Sequence, residues 1–137
     1  MNSTWIILGA TSAMARAFAR AVSATGAGIL LAGRDAEDLA ALAADCRLRG
    51  ARIAEPVAFD ARNPQTFGPI IEKLEAEEGE LNAAVFVGSM PDQSEIDADP
   101  SLIDGVVSDS HTGPARFLQM LAPIMEARGC GTVVGVG

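Results

Sequence analysis

A short run near the N-terminus contains the residue types that bind a phosphate. An apolar, strand-like stretch ends at Gly9, passes through the hydroxyls of Thr11 and Ser12, and enters a helical stretch at Ala13 and Met14. A pyrophosphate needs free backbone N–H groups, close approach to the backbone and the positive end of a helix. The run therefore predicts a dinucleotide site. The alternative is an ordinary strand-to-helix turn in which Ser12 caps the helix.

A second candidate residue follows the next apolar run, residues 28–32. Gly33 stands where NAD-binding domains place a carboxylate for the ribose 2′-hydroxyl, and Arg34 comes next. A guanidinium there can bind the 2′-phosphate of NADP through charge-assisted hydrogen bonds worth about 1.5–3 kcal/mol. The sequence thus predicts NADP (NADPH) as the cofactor, with a preference over NAD of roughly ten- to a hundred-fold. The alternative is a solvated arginine that pairs with Asp35 or Glu37.

Both turns belong to a regular alternation of apolar and amphipathic stretches. The apolar runs predict strands over residues 4–8, 28–32, 53–59, 83–87 and 132–136, and the amphipathic stretches predict helices over 12–25, 35–48, 63–78 and 101–128. This pattern predicts an α/β fold, a doubly wound, Rossmann-like parallel sheet with helices on both faces and strand order 3-2-1-4-5. Pro56 supports that order, because proline in a strand is tolerated mainly at an edge. Pro123 and the pair Gly113-Pro114 predict a kink or break in the last helix.

Composition limits the class of protein. The 137 residues are 49% hydrophobic and 20% charged, which predicts one ordered domain over residues 1–137. The formal net charge of -8 argues against nucleic acid or an anionic membrane as a partner. Neither a signal peptide nor an apolar stretch of the roughly 20 residues that a membrane span needs is visible. Cys46 and Cys130 form no disulfide framework or metal-ligand spacing, so we expect reduced thiols, no metal and a cytoplasmic location.

The first turn resembles the N-terminus of the short-chain dehydrogenase/reductase family, whose motif is Thr-Gly-x-x-x-Gly-x-Gly. The chain reads Leu8-Gly9-Ala10-Thr11-Ser12-Ala13-Met14-Ala15. The first glycine is kept, whereas Ala13 and Ala15 stand where the family usually has glycine. Each added methyl costs about 1–3 kcal/mol if it overpacks the site and the backbone does not shift. We expect adjusted rather than lost cofactor binding, because alanine is compatible with a helix.

The resemblance implies further cofactor contacts after strands three and four. Asp60 matches the family's aspartate that hydrogen-bonds the adenine amino group, although a carboxylate that caps the following turn is an equal alternative. Val87, Gly88 and Ser89 would lie near the nicotinamide ribose, where the family usually has Asn-Asn-Ala-Gly. Gly88 lets the backbone approach the cofactor, but the asparagine side chains of that motif are absent.

The resemblance also implies a reaction, hydride transfer between NADP(H) and a small-molecule carbonyl or secondary alcohol. The family uses a serine, a tyrosine whose pKa a lysine lowers, and an asparagine on a helix. Ser110 stands at the asparagine position and is the candidate catalytic residue. The chain has no tyrosine, Lys73 lies among glutamates on a predicted helix surface, and residues 131–137 resemble the strand that leads to the catalytic serine. The sequence thus predicts the NADP-binding part of a family member, truncated before the catalytic half.

Two other functions stay open. A non-catalytic NADP-binding sensor or interaction domain would account for the missing catalytic residues, and its exposed fifth strand would favour pairing with another chain. Homo-oligomerisation is the expected form of that pairing. A methyltransferase with a similar first half is disfavoured, since that class generally has an acidic residue after strand two, where Gly33 and Arg34 stand.

Two further groups of residues could have carried chemistry. His111 has no nucleophile at a recognisable spacing and is predicted at the surface. The acidic residues after strand four are predicted in a mobile, solvated loop, because they lack the spacing of a calcium loop. They are Asp92, Glu95, Asp97 and Asp99.

Overall fold

The fold is known from a computed structural model that describes residues 2–89 and 91–136. The strands are β1 (Ser3–Leu8), β2 (Gly28–Gly33), β3 (Ile53–Ala58), β4 (Glu80–Val85) and β5 (Val133–Gly135). The α-helices are α1 (Ala13–Ser23), α2 (Ala36–Leu48), α3 (Phe67–Ala76), α4 (Gln93–Ala98), α5 (Leu102–Val107) and α6 (Gly113–Arg128). A 3-10 turn, Pro64–Thr66, precedes α3, and a π-helical segment, Ser108–Thr112, joins α5 to α6.

The five strands form one parallel sheet in the order β3-β2-β1-β4-β5, which confirms the predicted topology. The central strand β1 pairs with both β2 and β4, so that Leu8 lies opposite Ala32 and Val85. Pro56 lies in the edge strand β3, opposite Leu31. Since the chain changes direction across the sheet at β1, the loops after β1 and β4 diverge there and leave a crevice at the carboxyl ends.

Helices cover both faces of the sheet, as the hydrophobic pattern predicts. Successive residues of β1 point to opposite sides, so Ile6 and Leu8 join one core and Ile7 joins the other. The first core contains α3, α6 and three packed rings, with Phe59 stacked on Phe67 at 5.2 Å between centroids and Phe117 edge-on to both. The second contains α1 and α2. The two cores hold the sheet rigidly beneath its carboxyl edge.

Strand four begins earlier than its hydropathy predicts. β4 pairs with β1 from Glu80 onward, three residues before the predicted start at residue 83. Asn82 is buried, its side-chain nitrogen donates to Ser3 Oγ at 2.9 Å, and its side-chain oxygen accepts from the Thr132 N–H at 2.8 Å. The polar start of β4 therefore belongs to the sheet, because Ser3 of β1 and Thr132, the residue before β5, satisfy the side-chain hydrogen bonds of Asn82.

Three helical predictions need correction. The stretch after strand four is not a loop, because residues 93–98 form α4, where the Asp92 N–H donates to Glu95 Oε2 at 3.3 Å. The predicted helix at 63–78 begins with a 3-10 turn, in which Asn63 Oδ1 accepts from the Gln65 N–H at 3.2 Å. The third correction concerns the long helix predicted over 101–128, which is divided by the π-helical segment. Its irregularity ends at Gly113, and α6 runs on through Pro123 without a break.

Among the described residues, no helix has the length and apolar character of a membrane span. In residues 2–89 and 91–136, no three His, Cys, Asp or Glu side chains are grouped so that they could hold a metal ion.

Candidate cofactor site

A cleft of about 240 Å³ lies at the carboxyl edge of the sheet. In open α/β sheets this edge, where the strand order reverses, is where ligands bind. Seven of the ten predicted cofactor-binding residues line it, together with residues that the sequence did not single out. The lining residues are Gly9, Thr11, Ser12, Gly33, Arg34, Phe59, Asp60, Ala61, Phe86, Val87, Gly88 and Asp109. Ala13, Met14 and Ser89, the other three predicted residues, adjoin that set in the chain.

Gly9 fixes the path of the turn that follows β1. Its φ of +78° is a conformation that favours glycine, and a Cβ added there would lie 2.9 Å from the backbone nitrogen of Val87. The N–H groups of Gly9 and Ala10 both donate to the Ala32 carbonyl oxygen, at 3.0 and 3.1 Å. The turn is thus held between the ends of β2 and β4, where only glycine fits.

Three backbone donors at the N-terminus of α1 are free. Ser12 caps the helix, since its Oγ accepts from the Ala15 N–H at 3.2 Å. The N–H groups of Thr11, Ala13 and Met14 have no hydrogen-bond acceptor in the described part of the chain. Free N–H groups at the positive end of a helix are the donors that an anion needs. The helix cap therefore does not exclude an anion site in the same turn.

Arg34 lies at the mouth of the cleft, directly after β2. Two acidic residues at the start of α2 have other partners, because Oδ1 of the N-cap Asp35 accepts from the Asp38 N–H at 3.0 Å and the Asp38 carboxylate pairs with Arg16. The Arg16 guanidinium hydrogen bond holds the pKa of Asp38 below its usual value. Among the described residues Arg34 makes no ion pair, so the expected alternative, pairing with Asp35 or Glu37, is not found.

Asp60 both stabilises its own turn and lines the cleft. Its Oδ1 accepts from the Arg62 N–H at 3.0 Å, and its N–H donates to Thr66 Oγ1 at 3.1 Å. The capping role that the sequence left open is therefore present. Because Asp60 also lines the cleft, a ligand in it would meet this residue as well as the turn of Gly9.

The loop after β4 brings Ser110 close to the cleft. A Cβ at Gly88 would lie 3.2 Å from Ser110 Oγ, so the glycine leaves room for this serine of the π-helical segment. The Ser89 hydroxyl is buried and has no hydrogen-bond partner among the described residues. His111, two residues before Gly113, is exposed, as predicted. Lys73 is also at the surface, where its Nζ lies 3.0 Å from a Glu55 carboxylate oxygen.

An ion pair that the sequence did not reveal lies at another side of the cleft, the side that Asp60, Ala61 and Asp109 line. Arg62 Nε donates to Asp109 Oδ1 at 2.8 Å, and its second nitrogen donates to Oδ2 at 2.9 Å. These bonds lower the pKa of the Asp109 carboxyl, against the opposing effect of burial. Nearby Ser89 and Arg34 also lower the pKa of Asp109. The Ser89 hydroxyl, however, does not meet the geometry of a hydrogen bond to the carboxylate. We call this side, residues 60–62 with Ser108–Thr112, the far wall.

No sequence signal pairs Arg62 with Asp109, because the two residues are 47 positions apart. In a regular helix Asp109 would be one more polar residue in an amphipathic stretch, whereas in the π-helical segment it is buried. Such segments are frequent at functional sites. Regular helix spacing could therefore not have located the far wall.

Comparison with known proteins agrees with this geometry. An uncharacterized oxidoreductase of Mycobacterium tuberculosis is 32% identical over 130 residues, which are 94% of this chain and 52% of the relative. Actinorhodin polyketide ketoreductase, solved with NADPH, superposes with a TM-score of 0.85 at 22% identity, over 98% of this chain and 52% of that one. L-sorbose reductase from Gluconobacter frateurii, solved with NADPH and L-sorbose, superposes with a TM-score of 0.85 at 20% identity, over 98% of this chain and 51% of that one.

The solved structures are less than 25% identical and show the fold alone. The chain spans about half the length of the curated relatives that it matches. The family model named short chain dehydrogenase, however, matches residues 3–137, nearly all of the sequence. On that match, and on the sheet order and the glycine turn described above, the chain belongs to the short chain dehydrogenase family.

Proposed function

We propose that this chain binds the adenosine end of NADP(H) for an oxidoreductase that transfers hydride between NADP(H) and a carbonyl or secondary alcohol of a small molecule. One observation carries the proposal. The turn that carries the free N–H groups of Thr11, Ala13 and Met14 lines the same cleft, through Thr11 and Ser12, as Arg34, a cation without an ionic partner among the described residues. A 2′-phosphorylated dinucleotide has a phosphate for each of these two groups.

The first turn would hold the pyrophosphate. Gly9 lets the backbone approach closely, and the dipole of α1 adds positive potential at Ala13 and Met14. The two alanines that replace family glycines would be compatible with this arrangement, since Ala13 begins α1 and Ala15 is buried against the core. Two solved relatives in fold contain NADPH, which supports the choice of ligand.

Arg34 would select the phosphorylated cofactor. Its guanidinium can bind the 2′-phosphate bidentately, and Gly33 offers no carboxylate for a free 2′-hydroxyl. Asp60 would accept from the adenine amino group, while Val87, Gly88 and Ser89 would lie toward the nicotinamide ribose.

The proposed reaction belongs to a protein of the relatives' length rather than to these 137 residues. NADPH, when bound, supplies the hydride, and a general acid must supply the proton. Ser110, beside Gly88, would contact a water in a proton relay, but the sequence contains no tyrosine to act as the acid. We therefore propose cofactor binding for this chain and hydride transfer for a protein of the relatives' length.

The direct test compares two ligands that differ only in the 2′-phosphate, 2′,5′-ADP and 5′-AMP, by isothermal titration calorimetry. Because Arg34→Ala removes the 2′-phosphate contact, we expect it to weaken the binding of 2′,5′-ADP by roughly ten- to a hundred-fold and to leave the binding of 5′-AMP nearly unchanged. Arg49→Ala, at the end of α2 and outside the cleft lining, is the matched control and should change neither. Equal binding of the two ligands by the unmodified chain, or no effect of Arg34→Ala, would contradict the proposal.

A further inference from the structure

The charges that line the cleft do not suit a polyanion. Asp60 and Asp109 contribute two carboxylates, whereas Arg34 is the one cationic lining residue in the described part of the chain. Carboxylates that face a bound phosphate repel it, most strongly where water is scarce. The proposed ligand therefore requires a further positive charge close to the lining.

Arg62 supplies that charge from just outside the lining. Both carboxylate oxygens of Asp109 accept from its guanidinium, and the Asp60 carboxylate also faces it closely enough to raise its pKa. The side chain of Asp109 is 12% exposed and that of Arg62 is 53% exposed. Arg62 thus compensates the nearly buried negative charge of Asp109, while its own guanidinium stays partly exposed to water.

Two close contacts hold the Arg62 loop in this position. A Cβ on Gly105 of α5 would lie 2.6 Å from a terminal guanidinium nitrogen of Arg62, so the guanidinium rests on bare helix backbone. A Cβ on Gly113 would lie 2.4 Å from the Ala61 carbonyl oxygen. The loop is therefore pressed against both helices that flank the π-helical segment, and Arg62 is directed onto Asp109.

We infer that Arg62 is a positioning residue for cofactor specificity, which neutralises Asp109 and so leaves Arg34 available to the 2′-phosphate. The inference rests on the proposed function. Without Arg62, Asp109 would be an unpaired carboxylate that attracts the Arg34 guanidinium and repels the phosphate. Arg34 and Asp109 line the same cleft, and the Arg34 charge is the last of the influences, after the Arg62 hydrogen bonds, that lower the pKa of the Asp109 carboxyl.

A cycle of three variants separates this role from that of a structural clamp. The ratio of the dissociation constants for 2′,5′-ADP and 5′-AMP is measured for Arg62→Gln, Asp109→Asn and the double variant. We expect Arg62→Gln to weaken the binding of 2′,5′-ADP by about ten-fold and that of 5′-AMP far less, because the unpaired Asp109 carboxylate acts on Arg34. Asp109→Asn should tighten the binding of 2′,5′-ADP by about three-fold. The double variant should regain most of the affinity that Arg62→Gln loses.

A clamp without an electrostatic role gives a different pattern. All three variants would then bind both ligands more weakly and to the same extent, and adding Asp109→Asn would not restore the binding that Arg62→Gln loses. That result would overturn the inference. Arg62→Lys keeps the charge and should keep the preference for 2′,5′-ADP even though the bidentate geometry is lost. Arg49→Gln makes the same charge change at an exposed pair with Asp45 and should leave the ratio unchanged.

The outcomes also distinguish this inference from the proposed function. If the unmodified chain shows no preference for 2′,5′-ADP, the proposed function fails first. If Arg34→Ala abolishes the preference but Arg62→Gln leaves it intact, only the role of Arg62 is wrong. If circular dichroism shows that Arg62→Gln is unfolded, Asp109→Asn alone still tests the inference. Weaker rather than tighter binding of 2′,5′-ADP by Asp109→Asn would contradict it.

Discussion

The two sides of the cleft are built in different ways. The near wall, the turn at residues 9–14, consists of consecutive residues whose backbone conformation is set by one glycine and one helix cap. The far wall joins residues 60–62 to the segment Ser108–Thr112 through an ion pair 47 positions apart. Chemistry that depends on a local turn can be found in the sequence, whereas chemistry that depends on the packing of distant segments needs the structure.

The largest effect should come from the near wall. Gly9→Ala combines a left-handed backbone with a Cβ 2.9 Å from the backbone of Val87, so we expect it to destabilise the fold by about 3 kcal/mol or more and to abolish nucleotide binding. Urea unfolding measures the first effect and calorimetry the second.

A matched substitution separates the two causes in that turn. Gly26 also has a positive φ, +82°, but nothing lies within 4 Å of its added Cβ. Gly26→Ala should therefore cost only the backbone strain, about 1–2 kcal/mol, and leave binding intact. If Gly9→Ala were no worse than Gly26→Ala, the close approach to β4 would not matter and the near wall would be a simpler turn than described.

A methyl group added in the far wall should destabilise the fold less than one added in the near wall. In Gly113→Ala the backbone is helical and unstrained, but the new methyl would lie 2.4 Å from the Ala61 carbonyl oxygen and the loop would have to shift, so we expect a loss of about 1–3 kcal/mol in the free energy of unfolding. Gly68→Ala in α3, where no atom lies within 4 Å, is the control and should stabilise by about 0.5–1 kcal/mol. Equal effects of the two substitutions would mean that residues 60–62 do not pack on the start of α6.

The smallest effect is the pH dependence of the far wall. The Arg62 hydrogen bonds lower the pKa of Asp109, so its contribution to stability is complete above the ordinary aspartate pKa of about 3.9 and is lost as the pH falls through the lowered value. The difference in unfolding free energy between the unmodified chain and Asp109→Asn should therefore be constant from pH 7 to about 5 and shrink below pH 4. A difference that does not change with pH would show that the pair is not ionic.

Much of the fold could be predicted from the sequence because hydrophobic periodicity reports burial directly. The five strands, the sheet order and the edge position of Pro56 follow from it. Hydropathy does not predict the start of β4, because Glu80 and Asn82 are polar and the place of Asn82 in the sheet depends on Ser3 and Thr132. The sequence predicts a loop where α4 lies, because four acidic residues over a short stretch conceal a helix start at Asp92.

The candidate site divides along the same line. Gly9, Ser12 and Arg34 could be proposed from strand ends and a helix start, which are local features. The Arg62–Asp109 pair could not, since the π-helical segment shifts Asp109 out of the regular helical pattern. The same holds for Arg16 and Asp38, which meet only because α1 and α2 lie side by side on the sheet.

The central claim, that the near wall binds a phosphate group with its free amides, is tested most directly by amide NMR. In a titration of the ¹⁵N-labelled chain with 2′,5′-ADP, the largest shifts should fall on the N–H groups of Thr11, Ala13 and Met14. The same experiment with 5′-AMP should still move them, but should leave the Arg34 side-chain Nε–H unchanged. Shifts confined to other parts of the chain, or saturation without any change at those three amides, would contradict the account.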